Sequence, residues 1–257
     1  MISEHVKKKL DDKFDSTNRE LWRFYHSRKH WLGGTNLFKG VIEKYATGHA
    51  VMDLGASKIN PITEFLKEKY KTVIGLDIDH RITANEDCFP VLYDGKGFPF
   101  KDSSFDTIVA NYVLEHIPEP AELFKEISRV LQPDGRFIFR APNRWYYLSF
   151  MGLLLPETIR ELVSARLRNV KLEQVYKSYY RANTFTKIHR LCNNTNLDID
   201  KIIMCEAEPM YLRRNPLLFS LGVLIERFLN SSELFEPFRS GIIGVLRKRH
   251  YIPSKSA

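Results

Sequence analysis

The chain predicts an α/β fold, a mostly parallel sheet with helices on both faces. Two observations predict it. Three short apolar strands follow one another, each ending in a polar or glycine-bearing turn: Val51-Met-Asp-Leu-Gly-Ala-Ser-Lys58, Val73-Ile-Gly-Leu-Asp-Ile-Asp79, and Phe89-Pro-Val-Leu-Tyr93 before Asp94-Gly95. The composition, 44% hydrophobic and 27% charged over 257 residues, is that of a chain with a globular core. In open α/β sheets a ligand sits beyond the carboxyl ends of the strands, so the polar strand ends mark the expected pocket.

The elements follow in order. Residues 1–46 read as helical and polar, with Leu21, Trp22, Tyr25, His26, Trp31, Leu32 and Leu37 among basic residues. Such a segment either covers a site or packs against the sheet edge. Residues 47–142 hold the first strands. A helix starts at about Pro61, proline being suited to a first helical position, and buries Ile62, Phe65 and Leu66. The turn Lys101–Ser104 leads into a strand over Phe105–Ala110. A helix from about Glu119 to Leu131 sets Leu123, Phe124, Ile127, Val130 and Leu131 at helical spacing. Gln132-Pro-Asp-Gly135 ends it before a fifth strand, Arg136–Arg140.

Residues 143–183 read as an insertion after that strand. It holds an apolar stretch, Leu148–Leu155, and a basic helix around 159–172, and it closes with Tyr179-Tyr-Arg181. Loops after the strands of such sheets carry specificity, which makes this the candidate substrate lid. Arg144, Tyr147, Tyr180 and Arg181 are its candidate substrate contacts, suited to stacking on a ring and pairing with phosphate. Plain packing is the other reading of each. Residues 184–257 add a helix over Thr184–Asn194 capped by Thr184, a strand over Ile199–Cys205, an apolar helix over Pro216–Phe228 and a last strand over Gly241–Leu246.

Asp53-Leu-Gly55, Gly75-Leu-Asp77, Asp94-Gly95, Phe98-Pro-Phe-Lys-Asp-Ser-Ser-Phe-Asp-Thr-Ile-Val109, Val113-Leu-Glu-His116 and Leu131-Gln-Pro-Asp-Gly135 occur in that order. Over roughly residues 45–142 the chain resembles a class I S-adenosylmethionine-dependent methyltransferase of the small-molecule group. The resemblance implies a Rossmann-like seven-stranded sheet of order 3-2-1-4-5-7-6, with strand seven antiparallel. It divides the chain into an N-terminal helical cap (1–46) and a methyltransferase domain (47–257). It implies S-adenosylmethionine as cofactor, with Asp53, Gly55, Ala56, Asp77, Ile78, Asp94, Gly95 and Asn111 as its contacts.

The residues support that assignment one by one. Gly55 lacks a Cβ, so backbone can approach a ligand. Asp53 can fix the turn or face the cofactor's ammonium through water. Asp77 follows about 20 residues later, the separation expected of a carboxylate that accepts from ribose hydroxyls. Asp94 can accept from the adenine amino group, with the Gly95 N–H at the ring edge. Turn formation alone is the competing role for Asp77 and Asp94. One departure stands out: the family's Asp-x-Gly-x-Gly-x-Gly has Ser57 and Ile59 at its second and third glycines. A β-branched residue disfavours positive φ, so the turn is expected to leave the usual path before a helix starting at Asn60-Pro61. A non-catalytic binding protein on a degenerate scaffold is the competing class. A dinucleotide site is disfavoured, because this turn keeps one of the three glycines of Gly-x-Gly-x-x-Gly.

The expected reaction is methyl transfer, with O-methylation favoured. It requires a nucleophile held in line and a proton acceptor if that nucleophile is a hydroxyl. His116 and Tyr146 are the catalytic candidates, and a structural, pocket-lining role is the other reading of His116. Asn111-Tyr-Val-Leu114 lacks the Asn-Pro-Pro-Tyr that the resemblance associates with amino-group methylation of nucleic acid, so nucleic acid is disfavoured as a partner. Ala141-Pro-Asn-Arg-Trp-Tyr-Tyr147 and Tyr180-Arg-Ala-Asn-Thr184 resemble a subgroup associated with surface-glycan biosynthesis. That implies a small-molecule or saccharide acceptor, lipid-linked or free; a quinone stays open.

The net charge of +8 favours anionic partners. Cys88, Cys192 and Cys205 are scattered with no C-x-x-C, so no metal site is expected and a reducing cytoplasm is. The N-terminus shows no apolar signal core, and no apolar run reaches the ~18 residues of a membrane span. The helix over 216–228 is apolar nearly all round, which reads as burial. Flanked by Arg213, Arg214 and Arg227, it admits a second reading as a peripheral contact at the inner face of a membrane. Oligomeric state is not set by the sequence.

Overall fold

The computed structural model describes residues 34–250 apart from 59, 160–161, 163–175 and 207–215. The expectations for residues 1–33, for Ile59 and for most of the basic lid helix lie outside the described residues. Seven strands form one sheet: β1 (Ala50–Leu54), β2 (Thr72–Asp77), β3 (Phe89–Leu92), β4 (Phe105–Asn111), β5 (Leu131–Pro142), β6 (Leu197–Cys205) and β7 (Gly241–Lys248). Their order is β3-β2-β1-β4-β5-β7-β6. The strands β1 to β5 pair in parallel, and β7 runs antiparallel to both β5 and β6. This is the Rossmann-like order the sequence predicts.

Alternate strand residues face opposite layers, as the two-residue strand period requires. Val51, Val109, Ile138 and Ile243 pack under α1 (Gly34–Tyr45) and α2 (Pro61–Lys69), which contribute Phe38, Val41, Ile42, Ile62, Phe65 and Leu66. Their neighbours Met52, Ile108, Phe137 and Phe139 pack on the other side. There they meet Leu123, Phe124 and Ile127 of α3 (Pro120–Val130) and Ile188 and Cys192 of α5 (Phe185–Asn193). With both faces covered, the inner strands can be apolar throughout. Helix starts follow local chemistry. The Asn60 side chain accepts from the Ile62 N–H at 3.0 Å, and Thr184 accepts from the Lys187 N–H at 3.3 Å.

Two elements depart from expectation. The strand β5 begins at Leu131, not Arg136: Leu131 pairs with Phe105, and the pairing resumes at Thr107 with Arg136. Gln132-Pro-Asp-Gly135 therefore bulges within the strand, with Asp134 at φ +63°, rather than separating a helix from it. The apolar helix, α6 (Pro216–Asn230), is not buried all round. Phe219, Gly222, Glu226 and Leu229 face the protein, whereas Leu217, Leu218, Leu221, Leu224 and Phe228 are exposed. The remaining helix, α4 (Tyr147–Leu154), opens the insertion after β5.

Candidate functional site

The carboxyl edge of the parallel strands gathers most of the predicted site residues. Gly55 leaves β1 at φ +78° and its N–H donates to the Leu76 carbonyl at 2.8 Å, tying the first turn to β2. A Cβ there would come within 2.4 Å of Val113, so the turn requires glycine. Ser57 adopts φ +52° at the family's second glycine position, and its N–H donates to Asp77 Oδ2 at 2.9 Å. The turn therefore keeps left-handed backbone without its second glycine, and the Asp77 carboxylate holds it. The Asp79 N–H donates to the other oxygen, Oδ1, at 2.9 Å. Ala56 is fully buried, and the Asn85 side chain donates to the Ser57 carbonyl at 2.8 Å.

Asp94 is exposed beyond β3 and accepts from the Lys96 N–H, Gly95 lies at φ +81°, and Ile78 is exposed beside Gly95. Asp53 is fully buried under the turn, where Thr63 Oγ1 donates to Oδ2 at 2.5 Å. Its Oδ1 has no hydrogen-bond partner. Burial pushes its carboxyl up to about 7, against the Thr63 hydrogen bond and with help from the charge of Asp77.

This set fits S-adenosylmethionine. Asp77 spends one lone pair of each oxygen on backbone and keeps acceptor capacity on both for a diol. The glycine turn leaves room for close approach, and Asp94 presents an exposed acceptor two strands away. The orphaned Asp53 Oδ1 is a buried acceptor suited to a cationic donor.

Residues 176–180, at the end of the candidate lid, reach the same edge. The Tyr179 and Tyr180 N–H groups donate to the Glu115 carbonyl at 2.7 and 3.2 Å, and Tyr180 takes φ +53°. His116 Nδ1 lies 2.8 Å from the Lys177 carbonyl, and its Nε2 lies 3.8 Å from Glu115 Oε1. The Lys177 carbonyl can only accept, so Nδ1 is placed to donate to it, which clasps the ring to residues 176–180. The Tyr176 hydroxyl and the Arg81 guanidinium both bond to the Asp79 carboxylate, which Arg81 holds far below the usual range. These contacts latch residues 176–180 to the loop that follows β2.

The other lid candidates are spread out. Arg181 pairs with Glu119 at 2.7 Å and donates to the Pro118 carbonyl. Arg144 is exposed, with its backbone N–H on the Asn183 carbonyl. Tyr147 is half-buried with its ring 4.6 Å from that of Tyr146. Tyr146 is buried, and burial chiefly, with Glu206 adding, pushes its phenol far above the ordinary range. The carboxyl of Glu206 is itself raised to about 7 by burial. Tyr146 thus serves the packing beneath the lid.

Arg140, Asn143 and Asn183, which sequence reasoning passed over, complete the edge, and Arg140 meets the predicted Asn111. Asn111 Oδ1 accepts from Arg140 Nε at 2.9 Å, and Tyr112 next to it takes φ +58°. Non-glycine residues at positive φ cluster here, at Ser57, Tyr112 and Tyr180, as strained backbone does at working sites. Asn143 and Asn183, both fully buried, tie the two ends of the insertion to the segment before β7 and to the end of β5. The Asn143 side chain donates to the carbonyls of Pro237 and Arg239, and that of Asn183 donates to the Pro142 carbonyl. The signal for Arg140 was one charge inside the apolar run Phe137-Ile-Phe-Arg-Ala141.

Residues 52–139 match the methyltransferase-domain family. The chain is 47% identical over 51 residues to a sterol 4-C-methyltransferase of Caenorhabditis elegans, covering 20% of this chain and 15% of that protein. It is 29% identical over 127 residues to a demethylmenaquinone methyltransferase of Corynebacterium glutamicum, covering 46% and 55%. The chain thus spans less than two thirds of these relatives' lengths. A crystal structure of an S-adenosylmethionine-dependent methyltransferase from Mesorhizobium loti superposes with a TM-score of 0.56 at 14% identity, over 82% of this chain and 96% of that one. At that identity the likeness is one of fold.

Proposed function

We infer that the chain, which carries a methyltransferase domain at residues 52–139, is an enzyme that moves a methyl group from S-adenosylmethionine to a small-molecule acceptor. The observation that carries this is the convergence of the Gly55–Ser57 turn, the Asp77 carboxylate and Asp94-Gly95 on one sheet edge. Asp77 would hold the ribose hydroxyls, Asp94 and Gly95 the adenine edge, and Gly55 and Ala56 the backbone cradle. Asn111 lies at the mouth of β4, and Ile78 flanks the adenine side. When bound, S-adenosylmethionine supplies an electrophilic methyl group on sulfur, so the protein's task is to orient a nucleophile and exclude water. The latched lid performs the exclusion. For a hydroxyl acceptor a base is needed, and His116, at this edge beside Glu115, is the candidate that would take the proton.

The acceptor we favour is lipid-linked, with a saccharide hydroxyl as the methylated group. The exposed apolar face of α6 supports a lipid-borne acceptor, and two relatives are named for a sterol and a demethylmenaquinone. A quinone is the second reading on the same grounds. No described helix is long and apolar enough to cross a membrane. The exposed face of α6 would meet such an acceptor by peripheral contact.

Calorimetry with S-adenosylmethionine and S-adenosylhomocysteine tests the first step, and absence of heat would leave a degenerate scaffold. Labelled cofactor incubated with cell extract, then separated into glycan, lipid, protein and nucleic acid, tests the acceptor. Label in protein or nucleic acid alone would overturn the small-molecule reading.

A further inference from the structure

Arg140 is a buried guanidinium without a counter-ion. It sits at the carboxyl end of β5, only 5% exposed, in register with Asn111 on β4. Its Nε donates to Asn111 Oδ1 at 2.9 Å. Its two terminal nitrogens share a single neutral acceptor, Thr35 Oγ1, at 3.3 and 3.4 Å. The rings of Tyr112 and Phe38 lie 4.5 and 5.3 Å from the guanidinium carbon. No carboxylate among the described residues pairs with it. A guanidinium carries five N–H donors. If Nε uses one and Thr35 receives one from each terminal nitrogen, two have no protein acceptor.

Burying a charge this way is costly unless something compensates. Two aromatic faces offset part of the cost. A further partner can bond only to the N–H groups that Asn111 and Thr35 leave over. A merely structural arginine would be expected to end on a carboxylate or on several carbonyls, as Arg129 does here with Glu126, Asp102 and the carbonyls of Phe98 and Phe100.

We propose that Arg140 is the receptor for a small oxyanion, a carboxylate or phosphate, carried by a molecule bound at this edge. The inference rests on the methyltransferase reading for what that molecule is. Two sources share the chemistry: the carboxylate of the cofactor's amino-acid tail, and an anionic group on the acceptor. Most of the cofactor residues follow β1, β2 and β3, and only Asn111 on β4 touches Arg140, which lies on the strand that runs directly into the candidate lid. That position favours the acceptor, and with it an acceptor that carries a carboxylate or a phosphate.

The test uses the whole chain, with Arg140→Gln and Arg140→Lys. Calorimetry compares S-adenosylhomocysteine with 5′-methylthioadenosine, which lacks the amino-acid tail. Inorganic phosphate and acetate are then titrated against the protein with and without S-adenosylhomocysteine, following the Arg140 side-chain nitrogen resonances. The expected result is that Arg140→Gln leaves both nucleosides unchanged. Phosphate or acetate then shifts the Arg140 resonances of the wild type, and Arg140→Lys keeps part of the anion binding that Arg140→Gln loses. A loss of about 10- to 100-fold for S-adenosylhomocysteine alone would assign the oxyanion to the cofactor's tail.

Equal weakening of both nucleosides would overturn the proposal in favour of a structural role. So would an Arg140 signal indifferent to both anions and both nucleosides. If Arg140→Gln does not fold, the anion titration of the wild type still decides. Failure of the wild type to bind either nucleoside would overturn the cofactor reading, while the anion titration would still judge Arg140.

Discussion

Asp53 combines full burial, one hydrogen bond and one unpartnered oxygen, and these give it a measurable signature. Its folded carboxyl is raised from 3.8 to about 7, so the folded state holds a proton that the unfolded chain releases. The stability this contributes is full below about pH 4 and is lost as pH rises towards 7. Asp53→Asn removes the titration while keeping the shape. The wild type should therefore lose stability relative to the variant between pH 4 and 8, by an amount on the order of 3–4 kcal/mol, in paired urea melts without ligand. Parallel pH profiles would show that Asp53 ionises normally. Asp77 makes a second test. Asp77→Ala should weaken both S-adenosylmethionine and S-adenosylhomocysteine by about 2–3 kcal/mol, roughly 30- to 150-fold. Part of that loss comes from the turn, since the Ser57 N–H loses the carboxylate that holds it at φ +52°. Unchanged affinity would remove the ribose assignment.

The lid is an element defined by its latches, and the latches can be cut singly. Tyr176→Phe deletes the hydroxyl that bonds to Asp79 while leaving the ring beside His116. Hydrogen exchange of residues 176–181 should speed up by roughly 5- to 150-fold, in line with the loss of two hydrogen bonds, to Asp79 and from Arg81, of ~0.5–1.5 kcal/mol each, with little change in the core strands. Unaltered exchange would show that the bonds to the Glu115 carbonyl and between His116 and the Lys177 carbonyl hold the segment without Tyr176. These latches show where sequence reasoning reaches its limit. The strands were readable because apolar runs and their polar ends are local signals, and the Asp77 and Asp94 positions follow from strand ends; the strand order came from the family resemblance. The bond between Asp79 and Tyr176 joins residues 97 apart in sequence and depends on the path of the insertion, which no local pattern encodes. The early start of β5 was hidden because Pro133-Asp-Gly135 is a turn signal, and a bulge uses the same residues as a turn. Arg140 was visible as a charge in an apolar strand, but its lack of a carboxylate partner appears only once the neighbours are known.

At the scale of the whole molecule, α6 decides how the protein meets its surroundings. Leu217, Leu221, Leu224 and Phe228 fall at helical spacing on one side, with Leu221 53% exposed and Leu217 82%. The opposite side, through Phe219, Gly222 and Leu229, is the one that packs on the protein. A continuous apolar stripe left in water marks an interaction surface. The only carboxylate on the helix, Glu226, is buried, so the outward side carries no negative charge to repel anionic headgroups. Leu221→Asp distinguishes the occupants. Because Leu221 faces outward, the variant should stay folded, with a melting temperature close to that of the wild type, whereas a core leucine would not tolerate a carboxylate. The wild type should sediment with vesicles containing anionic lipid at low salt, and less at high salt, because the exposed Arg227 of the helix contributes on the order of 1 kcal/mol at such a surface. Leu221→Asp should remain in the supernatant. If instead a second copy covers the stripe, analytical ultracentrifugation will show a dimer that Leu221→Asp converts to monomer, and neither protein will follow the vesicles. In that case the acceptor reaches the lid from solution, and the lipid-linked reading falls with the membrane contact.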